Sequence, residues 1–151
     1  MSFWTSIRTA ASALTAQHLR LDIISNNIAN VETTRTAEGG PYKRQDVIFE
    51  PENTSSFSSH LNRASSRHDH SIRSLQGGVR VTEITTDTEA GQRVYDPNHP
   101  DSDEEGYVTY PNVNLVVEMT NMVSATRSYE ANLAVVDAAK NMASKALDIG
   151  R

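Results

Sequence analysis

Apolar side chains recur at the start of the chain in steps of four and three. Phe3, Ile7, Ala10, Leu14, Gln17, Leu21, Ile24 and Ile28 follow this spacing, and seven of the eight are apolar. Such a repeat lays one stripe along one side of an α-helix, the side that docks along another helix. The remaining faces are unusual. Residues 1–30 carry only three charged side chains, Arg8, Arg20 and Asp22. A helix with so little charge on its outer faces is expected to be covered on several sides.

The end of the chain repeats the design. Leu115, Met119, Met122, Thr126, Tyr129, Leu133, Val136, Lys140, Ala143 and Leu147 keep the same spacing, eight of the ten being apolar. This predicts a helix of roughly 55 Å at 1.5 Å per residue, with Gly150 as its stop. No Gly or Pro occurs in 1–38 or 112–149, whereas all five prolines lie between Pro41 and Pro111. Since these residues break helices, both ends are free to be long helices and the middle is not.

The middle reads as short strands. Tyr42, Val47 and Phe49 stand in an extended context, and Val79–Thr88 reads as one strand with an irregularity at Glu83–Ile84. Arg93–Tyr95 and Tyr107–Tyr110 are two more. Residues 53–74 hold eight serines and few large apolar side chains, the composition of an exposed, mobile loop. The expected fold is α+β. Residues 1–31 and 112–151 form paired, coiled-coil-like terminal helices, and 32–111 form a small β-rich module carrying the loop.

Composition removes several classes of function. The 151 residues are 37% apolar and 22% charged, with a formal net charge of −5. No Lys/Arg-rich face appears, so nucleic acid is not an expected partner. The absence of cysteine excludes disulfides, thiolate metal sites and thiol nucleophiles, and it suits a protein that crosses between redox compartments. No apolar run approaches the roughly 20 residues of a membrane span. The N-terminus lacks the apolar core of about 7–15 residues that a cleaved signal needs.

Chemical motifs are weak. Asp101-Ser-Asp103-Glu-Glu105-Gly106 matches the first half of an EF-hand loop, but its twelfth position is Asn112 and no helix precedes it. Pro97 and Pro100 make it a rigid turn instead. His60, His68 and His70 lie near Asp69 in the serine-rich stretch without a closed ligand set, and read as solvated. No nucleophile elbow and no phosphate-binding Gly-rich loop occur. No catalytic, cofactor or metal residue is expected. A small cell-wall hydrolase using Asp103 and Glu105 is the competing enzymatic reading; it lacks a nucleophile, a metal motif and a pocket-forming core.

Ser25-Asn26-Asn27-Ile28-Ala29-Asn30 closes the first helix, because Asn tolerates the left-handed cap conformation and bonds the departing chain. The surrounding stretch SALTAQHLRLDIISNNIANVETTRT resembles the N-terminal signature of flagellar rod and hook proteins. The stretch from Tyr110 to Leu147 resembles their C-terminal signature, through Pro111-Asn112-Val113-Asn114, Glu118-Met119 and Tyr129-Glu130-Ala131-Asn132. Thr33-Thr34-Arg35-Thr36, Glu38-Gly39-Gly40-Pro41-Tyr42 and Tyr95–Asp101 are similar to a proximal-rod subfamily. So is Asp103–Val108. Position 32 is Glu where many relatives in the wider family carry Asn, which bears on the turn's bonding. Another type of rod or hook protein is the nearest alternative.

The resemblance implies a structural subunit of the proximal rod in the periplasm, exported uncleaved by the flagellar type III apparatus. Its implied partners are other copies of itself and rod proteins of the FlgB, FlgF, FlgG and FliE types. Phe3, Ile7, Leu14, Leu21 and Ile28 are then expected assembly contacts on the first helix. Met119, Met122, Tyr129, Leu133 and Val136 are those on the last. Asn26, Asn27, Asn30, Asn112, Asn114 and Asn132 are expected to bond within turns or between subunits.

Overall fold

The computed structural model describes residues 3–52 and 77–149. The serine-rich stretch, with His60, His68, Asp69 and His70, lies outside the described residues. Helix α1 spans Phe3–Ala29 and helix α2 spans Leu115–Ile149. At 1.5 Å per residue they run about 40 and 52 Å.

Asn114 starts α2. Its Oδ1 accepts the N–H groups of Val116 at 3.1 Å and Val117 at 3.2 Å, two donors that have no partner inside the helix. Farther along, Thr120, Thr126 and Ser128 turn their hydroxyls back onto carbonyls four residues earlier. These polar side chains are satisfied by their own helix, so they need few charged neighbours.

The helices pack along one another, antiparallel, with the end of α1 at the start of α2. In α1 the sequence stripe faces inward throughout. Ala10 and Ile24 are buried, while Phe3, Ile7, Leu14, Gln17, Leu21 and Ile28 are half-buried. In α2 the expected stripe divides. Met122, Tyr129, Val136 and Ala143 are half-buried, but Leu115, Met119, Thr126, Leu133, Lys140 and Leu147 are exposed. Glu118, Ala125 and Ala139 are buried in their place, with Asn132 half-buried. Small residues at the contact, Ala10 on one helix and Ala125 and Ala139 on the other, let the backbones approach closely.

Strands β1 (Gln45–Pro51) and β2 (Val79–Thr86) form an antiparallel pair against α1. Gln45, Val47 and Phe49 are half-buried and alternate with exposed Asp46, Ile48 and Glu50, the period of two that a one-sided sheet requires. Register is Ile48 with Glu83 and Phe49 with Val81, so Thr82 is the extra residue of a β-bulge. The irregularity expected at Glu83–Ile84 thus falls one residue earlier. On the α1 side, Arg20 lies 6.0 Å from the centre of the Phe49 ring. The Thr9 hydroxyl donates to the Gly77 carbonyl, and Ser12 Oγ accepts the Val79 N–H at 3.0 Å. A Cβ at Gly78 would stand 2.7 Å from Ser12 Oγ and 2.6 Å from Glu52 Oε2, so these side chains would have to shift.

Strands β3 (Arg93–Tyr95) and β4 (Tyr107–Thr109) make a separate antiparallel hairpin. Tyr95 and Tyr107 meet edge to face at 5.3 Å, and Arg93 sits 4.9 Å over the Tyr107 ring. The hairpin is tied to the loop after α1: Thr34 donates to Asp101 at 2.8 Å, and Arg35 lies 3.7 Å from the same carboxylate.

Candidate functional site

A buried polar cluster joins the end of α1, the start of β1 and the first turn of α2. Its centre is Asn27, fully buried. The helical run into Ser25–Asn30 delivers this side chain to the edge of β1. There its amide does what a neighbouring strand would do: Nδ2 donates to the Gln45 carbonyl at 2.8 Å, and Oδ1 accepts the Gln45 N–H at 3.0 Å. The Tyr42 hydroxyl donates to Oδ1 at 2.9 Å, and Nδ2 also reaches Glu118 Oε2 at 3.3 Å. Two donors and two acceptors are all that an Asn side chain offers, and all are used.

Glu118 is only 1% exposed. Its other oxygen accepts from Arg44 Nε at 2.9 Å, and Arg44 also reaches Asp46 at 3.3 Å. A buried carboxylate is tolerable only when paired and hydrogen-bonded, and both conditions hold. Burial alone would lower Arg44, but the hydrogen bond and charge of Glu118, with those of Asp46, outweigh it and raise it further. The Tyr42 phenol is also held above its ordinary value, by burial first and then by the Glu118 charge. The cluster is therefore a neutral-tyrosine, ion-paired clasp. Its arrangement fixes three elements to one another.

The other residues singled out by sequence are dispersed. Asn30 Nδ2 donates to the Asn26 backbone carbonyl at 2.9 Å and to Asn26 Oδ1 at 2.8 Å, and Asn30 Oδ1 accepts from the Thr33 hydroxyl. Asn26 is exposed. Asn112 donates to Asp87 at 3.2 Å, Asn114 caps α2, and Asn132 donates to the Ser128 carbonyl at 2.8 Å. Asp103 and Glu105 are exposed at the hairpin turn. Asp103 accepts from the N–H groups of Tyr107 and Glu105 and pairs with Arg93 at 2.7 Å. The Tyr107 N–H leads in holding its carboxyl below the usual range.

Sequence reasoning named Asn27 but missed Tyr42, Arg44 and Glu118 as members of one site. One signal was available. Glu118 stands four residues before Met122 and seven before Ala125, an acid in step with inward positions.

Comparison with known proteins places this architecture. Residues 7–35 match the family described as "Flagella basal body rod protein", and residues 104–149 match "Flagellar basal body rod FlgEFG protein C-terminal". The first match contains Asn27 and the second Glu118, whereas Tyr42 and Arg44 lie between them. The class is thus that of flagellar rod proteins. The chain is 46% identical to flagellar basal-body rod protein FlgC of Borreliella burgdorferi, over 99% of this chain and 98% of that one. It is 44% identical to FlgC of Bacillus subtilis over the full length of both, and 36% identical to FlgC of Escherichia coli over 94% and 93%. The chain belongs to the FlgC family of flagellar basal-body rod proteins, structural components of the basal body.

Proposed function

We propose that this chain is a non-enzymatic subunit of the periplasmic proximal rod, assembled through its terminal helices. Residues 1–31 and 112–151 act as the assembly unit, and 32–111 as a module that braces them. It joins other copies of itself and rod proteins of the FlgB, FlgF, FlgG and FliE types. It arrives through the flagellar type III apparatus with its N-terminus uncleaved. Among the described residues no helix is long and apolar enough to cross a membrane.

The observation that carries this reading is the exposure of large apolar side chains along both helices. Trp4 is 74% exposed, Met119 51% and Leu147 75%, and Val116, Val123 and Met142 are exposed with them. Large apolar side chains left exposed in this number along two helices mark surfaces kept for contact with other proteins. Head-to-tail contacts that do not close into a ring produce a helical shaft.

The test is complementation of a strain lacking this gene with Leu133→Glu, followed by electron microscopy of isolated basal bodies. Membrane rings without a completed rod are expected, while the purified variant keeps its helical circular dichroism. Complete rods from this variant, and from Met119→Glu, would sink the proposal. A cell-wall digestion assay with the purified parent is expected to show no activity.

A further inference from the structure

Helix α2 carries two overlapping stripes, and only one can face α1. They share Met122, Tyr129, Val136 and Ala143. The stripe that faces α1 adds Glu118, Ala125, Asn132 and Ala139. The alternative adds Met119, Thr126, Leu133 and Lys140, with Leu115 and Leu147 at its ends. Alternate positions move by one residue between the two, so exchanging them is a rotation of about 50° around the helix axis.

Burial of large apolar side chains favours the alternative. It would cover Met119 and Leu133, which are exposed, instead of a carboxylate and an amide, with Thr126 and Lys140 taking the places of Ala125 and Ala139. Something else selects the observed rotation. Asn27 is fixed to the backbone of β1 at both Gln45 groups, and Arg44 enters from the same strand end. Glu118 meets both only at this rotation. Turning α2 would take Glu118 from Asn27 and Arg44, which would keep only Gln45 and Asp46 as acceptors, and would leave the carboxylate without its donors, a costly loss at a buried site.

We infer that Asn27, Arg44 and Glu118 form a rotational lock. It references α2 to the β1 strand and so holds Met119 and Leu133 on the outer side of the helix pair. The lock is a property of the isolated chain, and it rests on the proposed rod role only for the use made of that outer side. The two readings therefore fail separately, one in a labelling experiment on purified protein and the other in complementation.

The chain has no cysteine, so single thiol reporters are unambiguous. Leu133→Cys and Ala139→Cys report the outer and inner positions. Ala139 lies about 32 Å along the helix from Glu118 at 1.5 Å per residue, far from local disturbance. In the parent, Leu133→Cys is expected to react with a maleimide at least tenfold faster than Ala139→Cys. The lock is then removed as a whole by Asn27→Leu, Arg44→Met and Glu118→Leu, since an apolar replacement of a complete buried set is tolerated better than loss of one member. In that background the order of reactivity is expected to invert, with helical circular dichroism retained. An unchanged order would overturn the inference and assign the rotation to the close alanine packing. Fast reaction at both positions would also overturn it, because the lock would then only hold the pair shut. Adding Leu115→Gln and Met119→Gln to the lock-free chain weakens the competing stripe and is expected to return Ala139→Cys to slow reaction. Persistent fast reaction there would count against a competition between stripes.

Discussion

Helices α1 and α2 carry the same kind of repeat and use it differently. In α1 every seam residue from Phe3 to Ile28 is buried or half-buried, and the exposed positions between Trp4 and Asp22 (Trp4, Arg8, Ala11, Thr15, His18 and Asp22) keep the same spacing one residue along. In α2 six of the ten residues of the expected stripe are exposed, and a carboxylate is buried at the contact. The difference teaches that a heptad period establishes a helix but sets its rotation only when one apolar stripe stands alone. α1 has one apolar stripe, with only Trp4, Leu19 and Ile23 as large apolar residues outside it. α2 has apolar side chains on several faces, so polar partners elsewhere in the chain decide which face turns inward.

The largest expected effect breaks the buried pair from one side. Glu118→Ala leaves Arg44 and Asn27 facing a void, and a cost of about 3 kcal/mol is expected for a buried partner lost in this way. Met119→Ala, one residue away on the outer side, is expected to cost no more than about 0.5 kcal/mol. Urea unfolding of both variants measures the contrast, and equal costs would erase it. A second pair compares the helices directly. Leu21→Glu places a charge in the α1 seam and is expected to cost about 2 kcal/mol, whereas Leu133→Glu on the exposed side of α2 stays within about 0.5 kcal/mol. If Leu133→Glu proved the costlier of the two, α2 would be facing α1 with its more apolar stripe. Smaller again is Asn114→Ala, which removes the cap of α2 and is expected to cost about 1 kcal/mol with little change in the β1–β2 pair. Amide exchange should rise first at Val116 and Val117, whose N–H groups Asn114 accepts.

Much of the fold was legible because local signals governed it. The absence of Gly and Pro marked both helices, and alternation marked β1. The asparagine cluster marked where α1 hands over to the turn, and Asn27 was named there. What escaped the sequence were pairings without any periodic relation. Asn27 and Glu118 stand 91 residues apart, and Arg44 and Glu118 74 apart. Thr34 and Asp101 were each noted in separate motifs, yet nothing in either motif announces that one hydroxyl donates to the other's carboxylate. The rotation of α2 was misread for the same reason. An acid in a helix is ordinarily placed outside, and only the arrival of Arg44 and Asn27 from elsewhere makes it an inward residue.

The smallest effect concerns pH and bears on the buried cluster at the end of α1. The Tyr42 phenol is held above its ordinary value of about 10 by burial and by the Glu118 charge, while the unfolded chain lacks both influences. Below pH about 10 both states keep the proton, and the hydrogen bond to Asn27 contributes in full. Above it the unfolded chain releases the proton first, the native state binds more protons, and stability falls with rising pH until the native phenol also ionises. Tyr42→Phe removes this dependence while sharing every other titrating group with the parent. Urea unfolding from pH 9 to 11.5 is therefore expected to show the parent losing stability relative to Tyr42→Phe as pH rises past about 10. A difference that stays constant across this range would mean that the phenol is not held in the clasp, and that Asn27 satisfies its carbonyl from Gln45 alone.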